Sequence, residues 1–436
     1  MTDRHAIVIG AGLGGLLSAA FLCKHGWRVT VLEKLGFIGG KFTQFDYQGF
    51  AVPTGAFHTL PGGVNGHIMS ALKRLDLTVE TYSMSAILYV EKRGRLHPMY
   101  SRLKANLHSR DSMFRAFGLF DLIGLTRMGR DLRRVRRLSS GTYRRTLAEN
   151  LASFHVSAGA GRMLSKILEF STAVPADVAD MADLATFTRG HAGTTPCVLT
   201  GGCRCVIEAL AGYVYGHGGT VRTSARVHVI AVREGVACGV GLTGGTAIAA
   251  DLVVCCAGPQ AAAKLLGQHC PPGLAEKAAS AIPAWGATHS LRADEPFLTH
   301  DAVEIPTALR RVAGYIEISR AAPALAPPGK AYLLAYQHLY QEEPIADQLR
   351  EGTAELHSRF GHLPGFEAFN IATYRKGWPA ARMQPRIGQT GADRFPLEVP
   401  GVARLLMLTD DNQGRGLAAE VIAEASRAFE EAVESL

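Results

Sequence analysis

The segment His5–Lys41, HAIVIGAGLGGLLSAAFLCKHGWRVTVLEKLGFIGGK, constrains the fold more than any other part of the chain. Ala6–Ile9 is a short, β-branched apolar run, the pattern of a strand buried in a parallel sheet. Gly10, Gly12 and Gly15 follow as G-x-G-x-x-G, and a helical stretch then carries Leu16, Leu17, Ala20 and Phe21 on one face. Lys24–Gly26 closes that helix, Arg28–Leu32 reads as a second strand, and Glu33 stands at its end. Strand, glycine turn, helix, strand and acid in this order predict a dinucleotide-binding βαβ unit. Gly10 permits the tight turn, Gly12 lets the backbone approach a diphosphate, and Gly15 lets the helix pack on the strand. The free N–H groups at the helix start then face the phosphates. Glu33, 23 positions after Gly10, is placed to meet a ribose hydroxyl. An acid here favours NAD or FAD over NADP, whose 2′-phosphate would be met by a basic residue.

Lys34 and the run Leu35-Gly36-Phe37-Ile38-Gly39-Gly40-Lys41 come next. With its Gly-Gly pair and following base, this stretch resembles the FAD proteins of the phytoene desaturase and amine oxidase superfamily. The resemblance implies FAD as the cofactor. It implies cofactor contacts at Gly10, Gly12, Leu13, Gly14 and Gly15, at Glu33 and Lys34, and at Gly40 and Lys41. Lys41 stands where an arginine is common, which turns a two-pronged contact into a point charge.

A chain of 436 residues is too long for one ordinary core and predicts two interleaved domains. No run approaches the ~20 apolar residues of a spanning helix. The early strand leaves no room for a leader, so a cytoplasmic protein is expected. The eight cysteines lack paired C-x-x-C spacing and accompanying histidines, so reduced core thiols and no metal are expected. The net charge of +8 bears on partners: an anionic cofactor or an anionic lipid surface. Without a nucleic-acid motif, no nucleic-acid partner is predicted. Oligomeric state is left open.

Phe42–Gly63 reads as a hairpin and a returning loop. In the resembled family this loop nears the flavin, which implies a cofactor role for Thr54 and Gly55 and a catalytic or wall position for His58. Val64–Leu77 is expected to be helical and Ser83–Tyr100 to form two strands, with Tyr89 and His97 lining a ligand or packing. Within Arg102–Arg137, apolar residues accompany Arg127, Arg130, Arg133, Arg134, Arg136 and Arg137. Two readings stand: a solvated helical cap, or a peripheral contact of residues 102–137 with an anionic inner-membrane surface. Thr146–Leu168 is expected as one further helix, and Asp177, Asp180 and Asp183 as solvated or capping. Residues from about 100 to 190 would together form a helical cap over a substrate.

Gly201-Gly202 opens a helix, a β-meander spans Ala231–Ile248, and a strand Ala249–Pro259 ends it with Gly258-Pro259. This order resembles the middle of phytoene desaturases, carotene isomerases and retinol saturases, which implies cofactor contacts at Val227 and Gly258. Strands at His289–Leu291, Gly314–Ser319, Ala331–Gln337 and Glu367–Tyr374, with a helix at Ile345–Phe360, predict a mostly antiparallel second sheet. Tyr374 and Trp378, where the chain returns to the cofactor, are candidate site residues. Near the end, the strand Ala403–Leu408 leads to Thr409-Asp410-Asp411, two spaced glycines, and a helix from Leu417. The family places Gly-Asp here, which implies a cofactor-binding acid, preferentially Asp410, with Gly416 and Leu417 at the flavin end.

The fold predicted is therefore α/β. A Rossmann-like FAD domain of the GR2 type (1–63, 196–283, 376–436) is interleaved with an α+β substrate domain (64–195, 284–375). The expected function is FAD-dependent hydride transfer of desaturase, saturase or isomerase type, on a lipophilic isoprenoid or polyene substrate. The alternatives are an amine oxidase or protoporphyrinogen oxidase-like enzyme, or an FAD-bound protein without turnover.

Overall fold

The strand His5–Ile9 sits at the centre of a five-stranded sheet, as its uninterrupted burial requires. The strand order is Thr220–Arg222, Arg28–Leu32, His5–Ile9, Leu252–Cys255, Leu405–Met407, all parallel. The computed structural model describes residues 4–55, 59–135, 144–181, 193–374, 382–413 and 418–436. The crossover helix Leu13–Lys24 is buried from Leu13 through Cys23. It is therefore apolar all round rather than on the one face expected, because the helices Gly202–Gly216 and Ala418–Glu434 enclose the side away from the sheet.

The meander Val227–Arg233, Val236–Leu242 and Ala247–Ala249 forms its own antiparallel sheet. The single strand expected from Ala249 is two strands in different sheets. Asp251 makes the break: its carboxylate accepts the His5 N–H at 2.8 Å, and its own N–H donates to the His5 carbonyl.

The second large sheet has seven strands in the order Glu367–Tyr374, Gly286–Ala293, Ala331–His338, Val312–Glu317, Val303–Pro306, Leu88–Lys92, Arg95–Met99. Among the described residues its pairings are antiparallel except for Val303–Pro306 beside Leu88–Lys92. Helix Ile345–Phe360 packs on one face of this sheet. The other face meets a group of helices, Leu119–Val135 and Ala158–Thr172 among them, and Leu147–Ser153 packs against those two.

Several expected elements divide. Val64–Leu77 contains a 3-10 turn, Gly63–Asn65, and a short helix, His67–Lys73. Thr146–Leu168 splits because Thr146 and Ser157 each cap a separate helix, Thr146 in a reciprocal pair with Glu149. Asp180 is buried rather than solvated, accepting the Thr390 hydroxyl at 2.5 Å, and Asp183 lies outside the described residues. Tyr89 stacks on His300 at 3.9 Å, and His97 Nδ1 lies 3.1 Å from the Asp111 carbonyl oxygen, so both pack. All eight cysteines are free thiols. Among the described residues no helix is long and apolar enough to cross a membrane.

Candidate active site

The glycine turn is held from both sides. Gly10 adopts φ +99°, and its N–H donates to the Leu32 carbonyl at 2.8 Å. A Cβ on Gly15 would lie 1.8 Å from the Gly10 carbonyl oxygen, and one on Gly14 would lie 2.4 Å from that of Leu408. The helix start is thus wedged between its own turn and the end of the last strand. Gly12 differs. Its φ is −76°, and a Cβ there would meet only the Gly39 oxygen, at 3.9 Å. The protein itself leaves that space clear. The helix also begins without a side-chain cap, so its first N–H groups face the same clearance beside buried Leu13.

Glu33 is buried, and its carboxylate accepts from Ala11 N–H at 2.8 Å and Leu35 N–H at 2.9 Å. It therefore braces the turn, while Lys34 is exposed. The Glu33 carbonyl accepts from Ala225 N–H, and the Leu35 carbonyl from Ser224 N–H, both at 2.7 Å. These bonds bring the start of the meander, at partly buried Val227, alongside the acid. Gly258, at φ +95°, opens the helix Pro259–Leu266, with its nearest neighbour 4.0 Å from a Cβ position.

Gly39 N–H donates to the Ala11 carbonyl at 2.7 Å, and the Gly39-Gly40 bend, both residues at positive φ, lies on the glycine turn. A Cβ on Gly40 would be 3.4 Å from the Gly12 Cα. From this bend Lys41 reaches across the site, its ammonium 2.5 Å from an Asp410 carboxylate oxygen. Gly55 passes directly under Lys41, since a Cβ there would sit 2.0 Å from the Lys41 carbonyl oxygen. The Thr54 hydroxyl donates to the Thr43 carbonyl and accepts from the Thr43 N–H, so it braces the open end of the antiparallel strand pair Gln44–Tyr47 and Phe50–Pro53.

The tail shows why threonine stands in the glycine position. Thr409 Oγ1 accepts the Asp411 N–H at 3.2 Å, and the Thr409 N–H donates to Asn412 Oδ1 at 2.5 Å. This closes the turn and sends the two acids apart. Asp410 faces Lys41, whereas Asp411 is buried against the Met383 N–H at 2.7 Å. Burial, then the neighbouring Asp410 charge, pushes the Asp411 carboxyl above the usual carboxylate range. His58, Trp378, Gly416 and Leu417 lie outside the described residues.

Three groups go beyond the sequence reading, and of their members only Tyr374 is a candidate there. Arg394 is buried, donates to the Gln389 and Asp410 carbonyls at 3.3 Å each, and leaves Nη2 without a partner among the described residues. Glu420, in the first turn of the last helix, accepts the His67 N–H at 2.9 Å. Burial pushes its carboxyl up to about 7. The third group lies on the seven-stranded sheet, on the face toward the helices. Tyr374 shares a hydrogen bond with Thr288 at 2.8 Å, and Tyr332 one with Ser290 at 3.3 Å. Tyr332 packs edge-on to Phe50, and Phe170 of helix Ala158–Thr172 meets Tyr336 edge-on at 5.1 Å. The alternation Tyr332, Leu334, Tyr336 was the available signal. Burial raises the Tyr374 phenol well above its ordinary range.

Four parallel strands thus present their carboxyl ends to one groove, the placement expected of a nucleotide site in an open α/β sheet. The family described as flavin-containing amine oxidoreductase matches residues 13–409. The chain is 22% identical over 374 residues to an uncharacterized protein of Methanocaldococcus jannaschii, covering 85% of this chain and 86% of that one. It is 26% identical over 285 residues to a neurosporene-forming phytoene desaturase of Cereibacter sphaeroides, covering 58% of this chain and 52% of the relative. An oxidoreductase crystal structure from Methanosarcina mazei superposes with a TM-score of 0.84 at 24% identity, over 98% of this chain and all of the other. Glycine turn, Glu33, Gly-Gly bend and Asp410 meet in a single groove, and with the match over residues 13–409 they place the chain in the flavin-containing amine oxidoreductase family, as an FAD-dependent oxidoreductase.

Proposed function

We propose that the chain transfers a hydride between FAD and a lipophilic substrate of isoprenoid or polyene type. The observation that carries this reading is the sheet face under the helices. There Tyr332, Leu334 and Phe369 of the sheet meet Phe50 of the neighbouring hairpin and Phe170 of helix Ala158–Thr172, and the hydroxyls are paired, Thr288 with Tyr374 and Ser290 with Tyr332. In this structure the layer is closed, with Phe50 at 1% and Tyr332 and Leu334 at 0% exposure, so an extended apolar molecule would enter as the helices part from the sheet, and the paired hydroxyls would keep its desolvation cost low. The desaturase relative supports the same choice.

The residues present fit FAD. The uncapped helix start and the clearance at Gly12 would hold the diphosphate. Glu33 and Lys34 would lie toward the ribose, with Val227 beside the acid and Gly258 on the adjoining helix start. Lys41 brings a positive charge to the groove, and Asp410 fixes its ammonium in place. When bound, FAD supplies the two-electron acceptor or donor, and the protein supplies orientation, exclusion of water and electrostatics. Tyr374 keeps its proton at neutral pH because burial raises its phenol, so it acts as a hydrogen-bonding wall and not as a base. His58 and Trp378 are assigned to the flavin side on sequence alone.

A second reading, oxidation of a small amine, is favoured by the family description. Anaerobic titration of the flavin-loaded protein separates the two. An isoprenoid polyene presented in detergent is expected to exchange electrons with the flavin, read as bleaching or recovery of its absorption. Bleaching by small amines or by protoporphyrinogen, with no response to the polyene, would overturn the proposal.

A further inference from the structure

We propose that the helical cap docks on an anionic phospholipid surface, through an apolar tip at Leu119, Phe120 and Ile123 and the arginines that follow, Arg127 and Arg130. This goes beyond the redox reading and does not rest on it.

The helix Leu119–Val135 has a fixed inner side. Asp121 is buried and accepts both the N–H and the hydroxyl of Ser157, at 2.8 and 3.0 Å. A Cβ on Gly124 would lie 2.5 Å from the Phe154 carbonyl oxygen, so the helix lies flush there, and Met128 is buried one turn on. The opposite stripe must therefore face outward. It begins with Leu119 at 71%, Phe120 at 84% and Ile123 at 41% exposure. It continues at helical spacing with Arg127 and Arg130, both exposed. One outward stripe thus passes from large apolar side chains to cations within about three turns.

Isolated exposed apolar residues need no explanation, but three within one turn and a half form a patch that calls for a partner. Charge decides which partner. Of the acids on this helix, Asp121 is turned inward and Asp131 is half-buried, while Arg115 just before it is exposed. The chain as a whole carries +8. A second copy would set arginines against arginines across a two-fold contact. An anionic bilayer receives the apolar tip below its headgroups and pairs the arginines with lipid phosphates.

The test floats the purified, flavin-loaded full chain with vesicles of phosphatidylcholine alone or mixed with phosphatidylglycerol. Flotation with the mixed vesicles is expected, weakened by added salt. Arg127→Gln with Arg130→Gln should weaken binding by about thirtyfold, near fivefold for each charge. Leu119→Ser, Phe120→Ser and Ile123→Ser together should abolish it, with flavin content and thermal melting unchanged. Parent protein that stays at the bottom with every vesicle would overturn the proposal, as would a triple variant that floats as well as the parent. A parent that sizes as an oligomer and a triple variant that sizes as a monomer would instead make the patch an interface between copies. Flavin absorption read on each fraction keeps the two proposals apart. A yellow protein that does not float contradicts only the docking, and a colourless one that floats contradicts only the cofactor assignment.

Discussion

Two glycines in the first turn look alike in sequence and do different work. Gly15 is required by the protein's own backbone, because the Gly10 carbonyl occupies the place of its Cβ. Gly12 is not, since a methyl group there meets nothing closer than 3.9 Å and its φ of −76° suits any L-residue. Gly15→Ala is therefore expected to yield little folded protein. Gly12→Ala is expected to fold, melt close to the cofactor-free parent, and purify without FAD. Circular dichroism melts together with flavin absorption check both, and a Gly12→Ala protein that retains FAD would contradict the account. The motif spacing made these positions readable in the sequence. The roles of Glu33 and Thr54 were only half readable. Which backbone N–H or carbonyl a side chain engages depends on atoms that folding brings together, as when Glu33 takes the Ala11 and Leu35 N–H groups.

Elements were legible where pattern and punctuation agreed. Helix Ile345–Phe360 begins after Pro344 and ends at Gly361, and its bounds match the sequence reading, as do those of strand Glu367–Tyr374. The strand Val303–Pro306 was not legible. Its sequence, VEIP, carries a carboxylate and a proline. It is a strand because Tyr315, Arg359 and His300 satisfy Glu304 from neighbouring elements, at 2.6, 2.7 and 3.2 Å. The helix His67–Lys73 likewise depends on a partner: its first N–H donates to Glu420, in the first turn of the last helix. Burial raises the Glu420 carboxyl from 4.5 to about 7, so the folded chain binds this proton more tightly than the unfolded chain does. This term lowers stability as pH rises from about 4.5 through 7, and its cost is constant above that. Glu420→Gln keeps an oxygen for the His67 N–H and removes the charge. It is expected to stabilise the protein at pH 8, by about 3 kcal/mol at most, and to do nothing at pH 4. Chemical denaturation at the two pH values measures this, and an equal effect at both would contradict the assignment.

At the scale of the molecule, front, middle and tail segments were each marked by glycines, so their order along the chain announced the groove before the strands were placed. Their cross-links were not marked. Lys41 and Asp410 are 369 positions apart and meet at 2.5 Å, and Arg394 reaches the Asp410 carbonyl from a segment with no motif. The sheet face of Tyr332, Tyr336 and Tyr374 likewise becomes a surface only when Gly286–Ala293 lies between its two partner strands. All of these features serve one claim, that the groove at the carboxyl ends of the parallel strands holds FAD. The most direct measurement is the cofactor content of the purified full-length chain, read by absorption and by the mass of what acid releases. Stoichiometric FAD, present on purification or taken up on incubation, is the predicted result. A folded chain that neither carries FAD nor takes it up would contradict the claim.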